Sequence, residues 1–224
     1  MLFYPTGRAS PPQNASPHDT LGDVKKLIDG YRRFRAREWP ERRAVFEELA
    51  DGGQYPKTMV IACSDSRVDP TMIFGAQPGE LFVLRNVANL VPPYEPDSAF
   101  HATSAALEFA VRVLAVEDLI VMGHAMCGGI QVLLNGAPAG AGDFLVPWMH
   151  IADEAKRRVM DRPPAERQTA CERETIKLSL EHLLTFPWIA APVADGRLRL
   201  TGMIFDIRSG VLTVLQPDGT FAPA

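Results

Sequence analysis

The stretch Thr58-Met59-Val60-Ile61-Ala62-Cys63-Ser64-Asp65-Ser66-Arg67 runs from an unbroken apolar segment straight into a polar turn. An apolar run of this length with no polar alternation describes a strand buried on both faces, as in a parallel sheet covered by helices. The same arrangement recurs farther along, where Leu119-Ile120-Val121-Met122 leads into Gly123-His124-Ala125-Met126-Cys127-Gly128-Gly129. Each polar word therefore sits where a buried strand ends, and in an open parallel sheet sites form at those carboxyl ends. Cys63, His124 and Cys127 are soft or borderline ligands that suit a tetrahedral Zn²⁺, with water or a carboxylate in the fourth position. Asp65 is the obvious carboxylate.

Outward from these words the pattern alternates. Strands are expected at residues 58–63, 81–84 and 118–123, with a short helix near 70–75 and a longer one across 98–114. Strand and helix in alternation predict crossover units and a mostly parallel central sheet flanked by helices. Further helices are expected at 129–134, 143–160 and 164–184. Residues 199–207 and 211–216, joined through Arg208-Ser209-Gly210, read as a hairpin that adds an antiparallel C-terminal edge.

Ahead of the sheet, residues 1–19 carry Pro5, Pro11, Pro12 and Pro17 among Ser, Gly and Asn and read as a flexible leader. Residues 20–52 form an N-terminal helical arm. Leu21, Val24, Leu27, Ile28, Tyr31 and Phe34 show helical spacing until Pro40 interrupts it, and a second helix covers 42–50. Residues 53–224 form the zinc-binding α/β domain.

The whole chain narrows the field. With 224 residues, a net charge of −4 and a pI near 5.7, it is a poor partner for nucleic acid or an anionic membrane. The cluster Arg32, Arg33, Arg35, Arg37, Arg42 and Arg43 reads as a solvated or partner-facing helix. Three cysteines, two of them assigned to metal, argue against a disulfide framework and for the cytoplasm. No apolar run is long enough to span a bilayer, and the first residues lack a basic-then-apolar signal pattern.

Alternatives for the same residues are plainer. Cys63 and Cys127 can be two buried thiols acting as small hydrophobes, and Asp65 with Arg67 an ion pair capping a turn. A phosphatase loop does not fit, because only three residues separate Cys63 from Arg67. Gly128-Gly129 lacks the Lys-Ser/Thr partner of a phosphate-cradling loop. Cys171 reads as structural, and His18, His101, His150 and His182 as surface or packing residues.

Cys-Ser-Asp-Ser-Arg at 63–67 with Gly-His-x-x-Cys-Gly-Gly at 123–129 resembles the β-class carbonic anhydrases, in a plant-type-like subgroup. Residues 77–89, 104–111, 178–180 and 184–187 continue the likeness, which runs from about Gln54 to the last strand. The resemblance implies zinc on Cys63, His124 and Cys127, with Asp65 a conditional fourth ligand. It implies that Asp65 and Arg67 are a catalytic dyad, and that Gln54, Phe82 and Phe109 contact substrate. The implied activity is reversible hydration of carbon dioxide to bicarbonate and a proton through zinc-bound hydroxide. It also implies a homodimer or higher oligomer with the active site at the interface.

Some positions depart from the family. Phe109 stands where many plant-type members have Tyr, which removes a hydroxyl from the pocket, and Ala125 replaces a Ser or Thr. Val60 stands where members with a regulatory bicarbonate site have Trp, pointing away from that subtype. Two thiolates cancel the formal charge of Zn²⁺, so the site should acidify water less than three imidazoles would, and the rate should rise with pH across ~7 to 9. Two other functions share these residues: hydrolysis of carbon disulfide or carbonyl sulfide on the same scaffold, and a zinc-stabilised binding module without catalysis.

Overall fold

The structure is a computed structural model and describes residues 21–97 and 99–224. The leader expected over 1–19 lies outside the described residues. The chain divides into two compact units, residues 1–54 and 55–224.

In the first unit, α1 (Leu21–Arg33) passes through a π-helical turn (Phe34–Glu38) into α2 (Trp39–Gly52). The expected interruption at Pro40 does not occur. Pro40 lies in the first turn of α2, directly after a π-helical turn. The wider π turn before it is closed by Trp39 N–H donating to Phe34 O and takes up the backbone shift the ring demands. Val24, Leu27, Ile28 and Tyr31 of α1 are all exposed.

The second unit is a six-stranded sheet ordered β2-β1-β3-β4-β5-β6. Its strands are β1 (Thr58–Cys63), β2 (Leu81–Asn86), β3 (Asp118–His124), β4 (Arg199–Phe205), β5 (Leu212–Leu215) and β6 (Phe221–Pro223). The first four are parallel and the last two antiparallel. The expected hairpin is present as β4 and β5, but β5 is not the edge. Phe221 to Pro223 pairs beyond it, a segment too short and too rich in turn residues to announce itself as a strand.

Helices α3 (Pro70–Phe74), α4 (Ala102–Glu108), α5 (Gly128–Asn135), α6 (Leu145–His150), α7 (Asp153–Arg157), α8 (Pro164–Leu183) and α9 (Pro187–Ala194) link the strands. The helix expected across 98–114 begins later and ends in a π turn over Phe109–Val113. The one expected at 143–160 is two helices, broken where Ala152 leaves helical geometry. Helix α9, opened by Pro187, carries Pro192 within it and was not expected.

Strand β1 is almost wholly buried, as its continuous apolar run requires. Met59 and Ile61 join a core with Leu107, Leu119, Val121 and Ile176 on one face, while Val60, Ala62 and Met122 form a smaller one on the other. On the larger face α8 lies very close to the sheet. A Cβ on Gly202 would sit 2.8 Å from Ile176 Cγ2, and one on Gly123 would sit 2.8 Å from Ile176 Cδ1. Glycine at these two positions leaves the recess that Ile176 fills. Full burial of that side chain is worth roughly 1.5–3 kcal/mol.

From β1 the chain crosses to β2 on one side, and from β3 it crosses to β4 on the other. The carboxyl ends of β1 and β3 thus flank a topological switch point, the place where open α/β sheets build sites. The register pairs Ala62 with Met122, so Cys63 and His124 leave the sheet side by side.

Candidate metal centre

Cys63 ends β1. Beyond it, Ser64 N–H donates to Asn86 O at 2.8 Å and Val68 N–H to Asp65 O at 3.1 Å, bending the chain into a turn that Asp69 closes by capping α3. Arg85 on β2 straps this turn down. Its Nε donates to Cys63 O at 2.9 Å, Nη2 to Asp65 O at 2.6 Å and Nη1 to Asp69 Oδ2 at 2.9 Å.

His124 is the last residue of β3 and is 1% exposed. Its Nδ1 lies 2.9 Å from Ala125 O. A carbonyl oxygen only accepts, so Nδ1 carries the hydrogen and Nε2 presents a lone pair. That Nε2 is buried with no hydrogen-bond partner; Asp65 Oδ2, at 4.0 Å, is too far to serve as one. Met126 then turns the chain with φ +58° and Cys127 begins α5. Gly129 allows this segment to lie against Ala88, since a Cβ there would be 2.9 Å from Ala88 Cβ.

Cys63 Sγ and Cys127 Sγ are 4.0 Å apart, far longer than a disulfide. With a nitrogen of His124, they form a buried group whose ligand atoms all lie within 4.8 Å of one another. Two sulfurs at a zinc–sulfur distance of ~2.3 Å from one tetrahedral ion stand roughly 3.8 Å apart, so the spacing fits. The orphaned Nε2 and the two soft sulfurs make the same donor set that zinc prefers. Cys63 is held below the ordinary thiol range, chiefly by the Cys127 thiol beside it. Cys127 is pushed well above that range by its bond with Cys63 and by burial. Burial alone would lower His124, but the nearby Cys63 sulfur raises it overall.

Asp65 sits beside this group and is gripped by Arg67, whose Nε donates to Oδ1 at 2.9 Å and Nη2 to Oδ2 at 2.7 Å. The Arg67 backbone N–H adds a third bond to Oδ1 at 2.9 Å. These bonds, the Arg67 side chain first, pull the Asp65 carboxyl down to about 2. Asp65 is therefore a carboxylate at any working pH, and its alignment comes from Arg67.

Phe82 and its stacking partner Phe109 lie away from this donor group. Phe82 stacks on Phe109 with centroids 5.8 Å apart, and Phe82 pairs in register with Met59. Met59 lies four residues before Cys63, ~13 Å back along the strand. Gln54 is an exposed residue at the end of the first unit. Cys171 is buried in α8 and stands outside the donor group. Two residues of α8 that carried no expectation do reach the site: Glu172 accepts the Cys127 N–H at 3.0 Å and Gln168 donates to the Cys127 carbonyl at 3.1 Å. Burial pushes the Glu172 carboxyl up.

Residues 58–212 match the family model described as "Carbonic anhydrase". Among curated relatives, a carbonic anhydrase of Pseudomonas aeruginosa is 39% identical over 203 residues, 86% of this chain and 88% of that protein. Beta carbonic anhydrase 3 of Arabidopsis thaliana is 35% identical over 213 residues, 91% of this chain and 81% of that protein. The solved β-carbonic anhydrase CcaA superposes with a TM-score of 0.85 at 31% identity, covering 90% of this chain and 92% of its own. A tetrameric β-carbonic anhydrase of the ascomycete Sordaria macrospora gives 0.77 at 28% identity, covering 89% and 98%. Sequence, fold and donor set converge: the chain belongs to the β-class carbonic anhydrases, zinc enzymes that hydrate carbon dioxide.

Proposed function

We propose that Cys63, His124 and Cys127 hold the zinc with which this chain interconverts carbon dioxide and bicarbonate, and that Asp65 and Arg67 orient the attacking oxygen. The observation that carries this reading is His124 Nε2, a buried lone pair facing two thiols with no hydrogen-bond partner of its own. Zinc bound there supplies a Lewis acid that makes hydroxide available from water near neutral pH.

The chain's own residues do the rest. Asp65, kept as a carboxylate by Arg67, accepts a hydrogen bond from the oxygen that attacks carbon dioxide and so aims its lone pair at the carbon. The bidentate guanidinium keeps that carboxylate from swinging into the fourth ligand position. Arg85 fixes the turn that carries both Cys63 and Asp65, which preserves their spacing through the cycle. Val60, fully buried in the core, supports placement outside the subtype with a regulatory bicarbonate site.

Phe82, Phe109 and Gln54 serve the substrate pocket in an assembly of at least two copies. The support is their position: Phe82 is too far down its own strand to reach its own donor group. The exposed apolar side chains of α1 and the apolar cleft of about 800 Å³ beside Phe100, Phe144 and Trp148 suit burial between copies. Thiolate ligands favour a reducing compartment, which supports the cytoplasm. Among the described residues, no helix is long and apolar enough to cross a membrane.

The test is stopped-flow carbon dioxide hydration on protein of measured zinc content, with Cys63→Ala beside wild type. Zinc near one per chain with activity absent in Cys63→Ala supports the assignment. Full zinc content and activity in that variant would refute it.

A further inference from the structure

The peptide of Cys127 is held from outside its own loop. Met126, directly before it, has φ +58°, a left-handed conformation that costs on the order of 1 kcal/mol for a residue with a side chain. Such a turn persists only where its surroundings over-determine it. Arg67 Nη2 contributes by donating to Met126 O at 3.3 Å. The larger share comes from α8, more than forty residues away in the chain.

Glu172 and Gln168 lie one helical turn apart on α8 and take hold of the two sides of the same residue. Glu172 Oε1 accepts the Cys127 N–H at 3.0 Å. Gln168 Nε2 donates to the Cys127 carbonyl at 3.1 Å and to that same Glu172 oxygen at 2.7 Å. The three bonds close a ring around one residue, taking its N–H on one side of the Cα and its carbonyl on the other. Glu172 is 3% exposed and Cys127 1%, and a buried amide left without a partner is costly. Helix α8 is itself a rigid mount, because Ile176, one turn beyond Glu172, is seated in the recess over Gly123 and Gly202. The other donors are secured differently: Cys63 through its carbonyl by Arg85, and His124 through its ring by Ala125 O.

We propose that Gln168 and Glu172 are positioning residues for the ligand Cys127, a clamp from α8 that fixes its backbone and thereby governs how long the site retains zinc. The proposal rests on the reading of Cys127 as a ligand. Fixing its backbone also fixes the start of α5, which Cys127 precedes. Loss of the clamp therefore loosens the direction of the sulfur. Outer partners of this kind typically change metal affinity by ~10- to 100-fold.

The experiment uses zinc-loaded full-length protein: wild type, Glu172→Ala, Glu172→Gln, Gln168→Ala and Cys127→Ala. Zinc transfer to a chromogenic chelator gives the release rate, cobalt(II)-substituted samples give the thiolate charge-transfer band, and far-UV circular dichroism reports folding. Glu172→Ala is expected to release zinc ~10- to 100-fold faster and to shift the cobalt band. Gln168→Ala should move both in the same direction by less. Glu172→Gln retains an oxygen that accepts the Cys127 N–H and should stay nearer wild type than Glu172→Ala. A folded Glu172→Ala with the wild-type release rate and cobalt spectrum overturns the clamp, as does Glu172→Gln releasing as fast as Glu172→Ala. If Glu172→Ala does not fold, Gln168→Ala decides on the same criterion. Wild type that takes up no zinc, or Cys127→Ala that keeps the wild-type rate, instead overturns the ligand assignment.

Discussion

Arg67 holds Asp65 through two parallel bonds, Nε to Oδ1 at 2.9 Å and Nη2 to Oδ2 at 2.7 Å, from only two residues along the chain. A fork-on-carboxylate contact over so short a loop fixes both the charge and the plane of the acid. Lysine offers one point charge and no fork. Arg67→Lys should therefore lower kcat/KM by roughly tenfold to a hundredfold while zinc content stays near wild type. Stopped-flow rates beside metal analysis decide this, and a parallel fall in both quantities would show that Arg67 serves the metal instead.

Gly123 and Gly202 both make room for one side chain, Ile176. Alanine at either position overpacks the interface with α8 and should cost about 1–3 kcal/mol. The contacts differ, however: Gly123 faces Ile176 Cδ1, whereas Gly202 faces Ile176 Cγ2. Ile176→Val deletes Cδ1 and keeps Cγ2. It should rescue Gly123→Ala in part, since Ile176 Cγ1 remains 3.0 Å from that Cβ, and leave Gly202→Ala almost unrescued, in a double-mutant cycle read by denaturant unfolding. Equal rescue of both would mean that α8 moves bodily.

Arg158 binds Glu181 through Nη1 and Nη2 at 2.9 and 2.8 Å, and that bond, more than any other contact, holds Glu181 below the ordinary carboxyl range. A depressed acid stabilises the fold above its unfolded pKa, near 4.3, and the contribution is lost as pH falls through the folded value. Because Glu181 is half exposed, screening limits the effect. Arg158→Ala should lower the melting temperature by about 1 to 3 °C at pH 7 and by less at pH 4. A larger deficit at pH 4, seen by calorimetry, would reverse the assigned sign.

The arm offers a test of assembly. Leu27 is 74% exposed and Tyr31 62% exposed, one turn apart on the same face of α1. Replacing both with Asp should shift the protein to smaller species in light scattering and reduce hydration activity, with zinc retained. An unchanged mass would place the contacts between copies elsewhere.

Much of this molecule was legible because its strands are simple. The unbroken apolar runs before Cys63 and His124 mark buried parallel strands, and the ligand words mark where they end. What escaped depends on contacts that no window of sequence contains. Residues 143–160 have helical composition throughout, yet the chain turns at Ala152. Pro40 carries a local breaking signal that the preceding π turn absorbs. Phe221 to Pro223 becomes a strand only because β5 is there to pair with it. Glu172 left a faint trace: it falls on the buried stripe of α8 with Ile176, Ser179 and Leu183, and an acid on such a stripe calls for a partner. Its partner, the Cys127 peptide, is 45 residues away.

The pairing of β1 with β3 also bears on how the protein matures. Cys63 and Cys127 are 64 positions apart, and neither neighbourhood offers a second thiol. A nascent or misthreaded chain thus presents Cys63 alone or the His124–Cys127 pair alone, an incomplete donor set that grips a soft cation weakly. The three donors converge only after β2 and α4 have been threaded and the two strands have zipped in register, a slow, non-local step in the assembly of such sheets. Metal uptake is thereby deferred until the topology is right, and the loaded site certifies a completed fold.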